Sequence, residues 1–171
     1  IENLVIPNIQ DENERKRCLD EIPQSAPGKS IMTIEPKFVP SSGATITIDE
    51  FTTNIKLIDC VGYVIKSSSG YEDDLGNPRL VKTPWYDEDI PFIEAAEIGT
   101  EKVIRDHSTI GIVVTTDGSI GEFARSEYID AEEKVITELK AINKPFIILL
   151  NTKTPSTDEA TRLAQSLSDN Y

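Results

Sequence analysis

Apolar positions along this chain alternate between two periods. Residues 45–49 place Ile46 and Ile48 on one side, and 54–59 carries Ile55, Leu57 and Ile58. Two short β runs joined by 50–53 predict a hairpin. Two further apolar runs, 110–116 and 146–151, read as buried parallel strands, the first through its β-branched residues. Helical spacing appears in three later segments. One runs from Pro91 to about His107 with Ile93, Ala96, Ile98, Val103 and Ile104, and Pro91 is predicted at its first turn. A second, 126–142, carries Tyr128, Ile129, Val135, Ile136, Leu139 and Ile142. The last, 158–170, carries Leu163 and Leu167. Near the start, Asp11 is placed to cap a charged helix reaching Ile22. The predicted order is helix, β, β, helix, β, helix, β, helix. That order describes a doubly wound, mostly parallel α/β sheet with one antiparallel edge strand.

Two segments carry no period. Residues 23–40 hold four prolines and one glycine and read as an extended loop. Residues 60–91 form a long polar connection with five glycines or prolines between Gly62 and Pro84. A connection of that length in a compact domain is commonly functional. The chain starts on a helix with no strand before it and stops where another strand would follow. Both ends are therefore expected to be cut from a larger domain.

Composition narrows the function classes. The net charge is −13, from 30 acidic and 17 basic residues. Nucleic acid or an anionic membrane needs Lys and Arg in excess, so neither is expected as a direct partner. The apolar runs are too short to cross a bilayer, so no transmembrane segment is expected. The two cysteines, Cys18 and Cys60, form no paired motif. They are expected in a reduced cytoplasmic protein, with Cys60 a small buried hydrophobe.

The sharpest chemical motif is Leu57-Ile58-Asp59-Cys60-Val61-Gly62. An apolar strand ending in Asp-x-x-Gly can sense phosphate. The aspartate at the carboxyl end can hold Mg²⁺ through water, and the glycine leaves its N–H open to a γ-phosphate oxygen. Upstream lies Thr33, in Ile31-Met32-Thr33-Ile34. This layout resembles TRAFAC-type P-loop NTPases, where such a threonine reaches the metal and the γ-phosphate. The run 110–116 leads into Asp117-Gly118, for which a turn or capping role is expected. The second run ends in Asn151-Thr152-Lys153-Thr154, where GTP-specific members carry Asn-Lys-x-Asp. Thr154 cannot supply the paired acceptor that reads guanine, so adenine is the expected base. Pro27-Gly28-Lys29-Ser30 imitates the end of a P-loop, but Pro23 stands where its first glycine belongs and no strand precedes it. His107, at a helix end, has no second histidine to form a metal cluster. Arg79 and Arg125 are the arginines considered for charge neutralisation. Trp85 and Tyr86 are expected to pack, with partner binding as the alternative.

Many strings in order carry a closer resemblance. They include Glu21-Ile22-Pro23-Gln24-Ser25, Glu35-Pro36-Lys37-Phe38-Val39-Pro40, Asp59-Cys60-Val61-Gly62-Tyr63, Thr83-Pro84-Trp85-Tyr86, His107-Ser108-Thr109-Ile110-Gly111 and Thr115-Thr116-Asp117-Gly118. The chain resembles the ATPase region of the stage IV sporulation protein A family. The resemblance implies a partial P-loop NTPase domain over 1–171, truncated at both ends. Its first switch would be about 23–40, its Walker B segment 57–62 and its second switch about 63–91, with the P-loop upstream. It implies ATP and Mg²⁺ as cofactors, and hydrolysis that drives polymerisation into the spore-coat basement layer. The implied location is the mother-cell cytoplasm at the outer forespore membrane. The implied partners are further copies, other coat morphogenetic proteins and a small amphipathic membrane peptide that binds outside this segment. Asp59 matches the Walker B aspartate, and Thr33 the first of two sensor threonines, Ile34 replacing the second. Candidate site residues are thus Thr33 and Asp59 for catalysis and metal, and Gly62, Asn151 and Lys153 for nucleotide. Without the P-loop, this segment alone is expected to be inactive. The alternatives are a non-catalytic coat scaffold and a GTPase of the ribosome-assembly or septin type.

Overall fold

A computed structural model of the chain describes residues 5–22, 36–65, 67–73 and 75–171. They fall into two compact units, one ending at Cys60 and the other running from Val61 to Tyr171.

The first unit is a hairpin packed on a short helix. Helix α1 (Glu12–Glu21) begins where Asp11 accepts the Glu14 N–H at 2.8 Å, the expected cap. Strands β1 (Lys37–Ile48) and β2 (Phe51–Asp59) pair antiparallel, as the alternation predicts. Strand β1 starts well before residue 45, inside the stretch read as loop. Its prolines and glycine conceal it. Pairing runs Val39↔Leu57 and then Ala44↔Ile55, so residues 40–43 stand opposite Lys56 alone. Pro40 has no N–H to donate, and it falls in this bulge, where the ladder asks for none. Val39, Ala44 and Ile46 turn inward with Ile9 and Cys18, and Ile55 and Leu57 pack against them. Cys60 is half-buried and stands outside this core, contrary to expectation. Strand β2 closes just before it, so no ladder holds Cys60 against the sheet.

The second unit carries the α/β part. Within the long 60–91 connection, β3 (Leu80–Val81) and β4 (Ile90–Pro91) form a small antiparallel pair. Pro91 ends β4 and caps helix α2 (Phe92–Lys102), one position earlier than predicted. A single π turn, Val103–His107, extends α2 to the expected end. Strand β5 (Gly111–Thr116) pairs parallel with β6 (Phe146–Asn151) in unbroken register, Gly111↔Phe146 through Thr116↔Asn151. Helix α3 (Ile129–Ala141) covers one face, where Val113, Ile136 and Leu139 meet Ile104, Phe146 and Ile148. Helix α3 ends with Asn143 at φ 52°, and the Lys144 and Asn143 N–H groups reach the Leu139 and Lys140 carbonyls at 2.9 and 3.0 Å. This double bond is a Schellman cap, which needs a left-handed residue at the position after the C-cap. Helix α4 (Asp158–Asn170) spans the predicted residues, capped by Thr157, whose hydroxyl accepts the Ala160 N–H at 3.3 Å.

The chain is a mixed α/β protein, but one continuous sheet is not formed among the described residues. Three two-stranded pieces stand in its place, and the parallel part is β5–β6 alone. Nor are these strands buried on both faces. Ile112, Val114, Ile147 and Leu149 alternate with the α3-covered positions and are about half exposed or more. Two strands covered on one side obey the period-2 rule, whereas the unbroken apolar run pointed to burial on both sides. No helix among the described residues is long and apolar enough to cross a membrane.

Candidate functional site

The sequence candidates fall in three places. Asp59 closes β2 in the first unit. Its carboxylate is exposed, and Lys37 stands opposite in the ladder. Thr33 lies outside the described residues, as do the P-loop look-alike and most of the expected first switch.

Gly62, the second residue of the unit that begins at Val61, has φ +77°. A Cβ built there meets nothing within 4 Å, so glycine is needed for the left-handed backbone and not for space. Its carbonyl accepts a hydrogen bond from Thr100 Oγ1 at 3.2 Å, and Thr100 is buried in α2. Tyr63 follows, with the Lys134 ammonium 4.3 Å from its ring centroid. Burial, and then the Glu138 carboxylate beside the phenol, push the Tyr63 pKa far above its ordinary value. Lys134 also pairs with Glu97 at 2.7 Å. The residues around Gly62 are thus held by both α2 and α3. Neither Thr100 nor Lys134 was legible as a partner, because both lie on helices remote in sequence.

Asn151 and Lys153 sit at the carboxyl edge of β5–β6, together with Asp117. The parallel register continues one step past the ladder and sets Asp117 beside Thr152. Thr152 Oγ1 donates to Asp117 Oδ2 at 2.5 Å, and Ser119 N and Oγ donate to Asp117 Oδ1 at 2.8 and 2.6 Å. The two hydroxyls in turn accept backbone N–H groups, Lys153 N to Ser119 Oγ at 2.9 Å and Thr154 N to Thr152 Oγ1 at 3.1 Å. Hydrogen bonds from Ser119 first, and from Thr152, hold the Asp117 carboxyl at about 2, below the usual carboxylate range. The turn role expected for Asp117 is present. The bond to the next strand's loop is additional, and only the pairing of β5 with β6 reveals it. Gly118 completes the turn at φ +88°, and a Cβ there would stand 2.8 Å from Arg125 N.

The two arginines considered for charge neutralisation are both engaged in the second unit. Arg125 Nη1 lies 2.7 Å from Glu132 Oε2, Nη2 donates to Oε1 at 2.7 Å, and Nη1 also donates to Thr115 Oγ1 at 2.9 Å. Glu132 is 5% exposed, and Tyr171 Oη donates to it at 3.2 Å. Arg79 donates to the Gly70 carbonyl at 2.9 Å and stacks over Phe92 at 4.9 Å. Trp85 and Tyr86 remain partly exposed and line a shallow cavity of about 430 Å³ with Ile98, Lys102 and Arg105.

Comparison with known proteins bears on what this arrangement serves. The family model described as stage IV sporulation protein A, ATPase domain, matches residues 1–171. Similar relatives named stage IV sporulation protein A occur in Bacillus anthracis, 56% identical over 172 residues, and Bacillus subtilis (strain 168), 55% identical. A third, from Clostridioides difficile (strain 630), is 51% identical. Each alignment covers 100% of this chain and 35% of the relative, so the chain spans about a third of their length. No solved structure matches it significantly. A family described as an ATPase domain implies a P-loop NTPase, in keeping with the parallel β5–β6 pair and the Asp-x-x-Gly motif that begins on the last residue of β2. This chain belongs to the stage IV sporulation protein A ATPase-domain family.

Proposed function

We propose that this chain is the switch-bearing part of an ATP-hydrolysing sporulation protein that polymerises into the basement layer of the spore coat. The observation that supports it most is the Asp59-x-x-Gly62 motif closing β2 in a chain matched from end to end by an ATPase-domain family. The fit to Mg²⁺ is chemical. Asp59 offers exposed carboxylate oxygens, which suit a hard cation that keeps part of its water shell. When bound, the metal neutralises charge on the β- and γ-phosphates. Asp59 and Thr33 would hold its shell, and the Gly62 N–H would donate to a γ-phosphate oxygen from a left-handed turn that suits glycine. Asn151 and Lys153 border the base. Thr154, a neutral residue where guanine readers carry an acceptor pair, favours adenine over guanine. Turnover is slow in this reading, as suits a conformational switch that needs few cycles. Loss of the γ-phosphate then changes the population of an assembly-competent shape.

In this reading the protein works in the mother-cell cytoplasm at the outer forespore membrane. It binds further copies of itself and other coat proteins, and a small amphipathic membrane peptide contacts regions beyond this chain. The test is ATP against GTP hydrolysis, with filament formation, on the intact polypeptide, wild type beside Asp59→Ala. ATP-selective turnover that disappears together with filaments in the variant is the expected result. Filaments from both proteins with no turnover of either nucleotide would replace the switch by a passive scaffold. GTP preference would place the protein with the GTPases.

A further inference from the structure

The edge formed by Asp117, Ser119 and Thr152 has a geometry that turn formation alone does not require. Both carboxylate oxygens of Asp117 are used, and each leads through one hydroxyl to one backbone N–H of the loop after β6. One arm runs Lys153 N–H to Ser119 Oγ, then Ser119 O–H to Asp117 Oδ1. The other runs Thr154 N–H to Thr152 Oγ1, then Thr152 O–H to Asp117 Oδ2. The carboxylate lies after β5, and the N–H groups lie after β6, about 35 residues on. The loop is further fixed at its far end, where Thr157 N and Oγ1 both donate to the Thr154 carbonyl, at 3.2 and 3.0 Å, as Thr157 caps α4.

Two consequences follow. The Lys153 and Thr154 N–H groups are spent inside the protein, so what these two residues offer a ligand is their side chains, next to that of Asn151 at the end of β6. Their position is set from the neighbouring strand through a carboxylate that stays charged far below neutral pH. A carboxylate accepting hydroxyl donors is a strong and directional anchor.

We propose that Asp117 is a positioning residue of the nucleotide site, holding the loop 151–154 in the conformation that seats the purine base. Thr152 and Ser119 are the two arms through which it acts. This rests on the reading above that Asn151 and Lys153 border the base. In this role Asp117 acts through the loop and not by contact with base or metal, its oxygens accepting three protein donors.

The experiment uses the intact polypeptide with a fluorescent ATP analogue for equilibrium binding, steady-state ATP and GTP hydrolysis, and hydrogen exchange of the segment around 150–157. Asp117→Ala and Thr152→Val each raise the KM for ATP about tenfold while kcat stays within about twofold, since ground-state seating of the base is lost and the phosphate chemistry is not. Thr152→Ser, which keeps the donor, restores wild-type KM. ATP preference over GTP narrows in Asp117→Ala, and amide exchange around 152–154 accelerates. Should Asp117→Ala fail to fold, Thr152→Val and Ser119→Ala each cut one arm and carry the same expectation. Wild-type affinity and base preference in the folded variants, beside a wild type that binds ATP, would overturn the proposal and leave the ATPase reading standing. A wild type that binds no nucleotide would overturn both.

Discussion

At the residue scale, Glu132 is a buried carboxylate that ties Arg125 and Tyr171 together in the second unit. Its carboxylate is nearly inaccessible and is held by Arg125, with Tyr171 as a further donor. Burial alone would raise its pKa, but hydrogen bonds from Arg125 and Thr115 and the arginine's charge outweigh that and leave it lowered. A carboxyl whose folded pKa lies below its unfolded value stabilises the fold above the unfolded value, near 4.5. That contribution is lost as pH falls through the folded value. Urea denaturation of wild type should therefore show stability dropping on acidification below pH 4.5, and Glu132→Gln should flatten that slope. At neutral pH, Glu132→Ala leaves the Arg125 charge without its partner and should cost about 3 kcal/mol. Gly62 is the second residue with a clear expectation. Space is open around it but its φ is +77°, so Gly62→Ala should lose about 1–2 kcal/mol by the same denaturation measurement through backbone strain alone. A loss much larger would mean that the side chain meets a wall.

At the element scale, the ends of helices α3 and α4 are set by single residues. Asn143 holds the left-handed position of the Schellman cap, and glycine suits that φ better than any other residue. Asn143→Gly should raise stability by about 0.5 kcal/mol, read as a higher midpoint in urea. Thr157→Ala removes the α4 cap and the bond of Thr157 Oγ1 to the Thr154 carbonyl, and should lower stability by about 1 kcal/mol. The same elements explain which segments could be read in advance. Helix α4 has a threonine cap, acidic residues in its first turn and one apolar stripe, all within a few residues of each other, and its ends fall where predicted. Strand β1 offered no such local signal before residue 45. Its early half carries Pro40 and Gly43 in the bulge, and only pairing with β2 makes it a strand.

At the scale of the whole molecule, the main feature is the apolar sheet face left open on β5–β6. Ile112, Val114, Ile147 and Leu149 stand together there, with Val114 at 65% exposure. A contiguous patch of this kind promotes self-association at high concentration. Paired Val114→Thr and Ile147→Thr changes should reduce light scattering and hydrophobic-dye fluorescence of the isolated chain, with stability within about 0.5 kcal/mol of wild type. The net charge of −13 acts against that association at low salt, so the contrast between variant and wild type should widen as salt is added.

The sequence alone determined what short-range physics encodes. The hairpin alternation, the β6 and α4 spans, the Asp11 cap and the Asp59-x-x-Gly62 motif each depend on residues within a turn or two of one another, and all were readable as pattern. Tertiary structure decided the rest. Arg125 as the bridge from Glu132 to Thr115 of β5, and Asp117 as the anchor of Thr152, depend on packing α3 against β5 and on the parallel register of two strands joined through a helix. The half-exposure of Cys60 and the open face of β5–β6 depend on which surfaces find a neighbour. A run of apolar residues states a preference for burial, whereas only the assembled fold determines whether that preference is met, because the covering atoms come from distant parts of the chain.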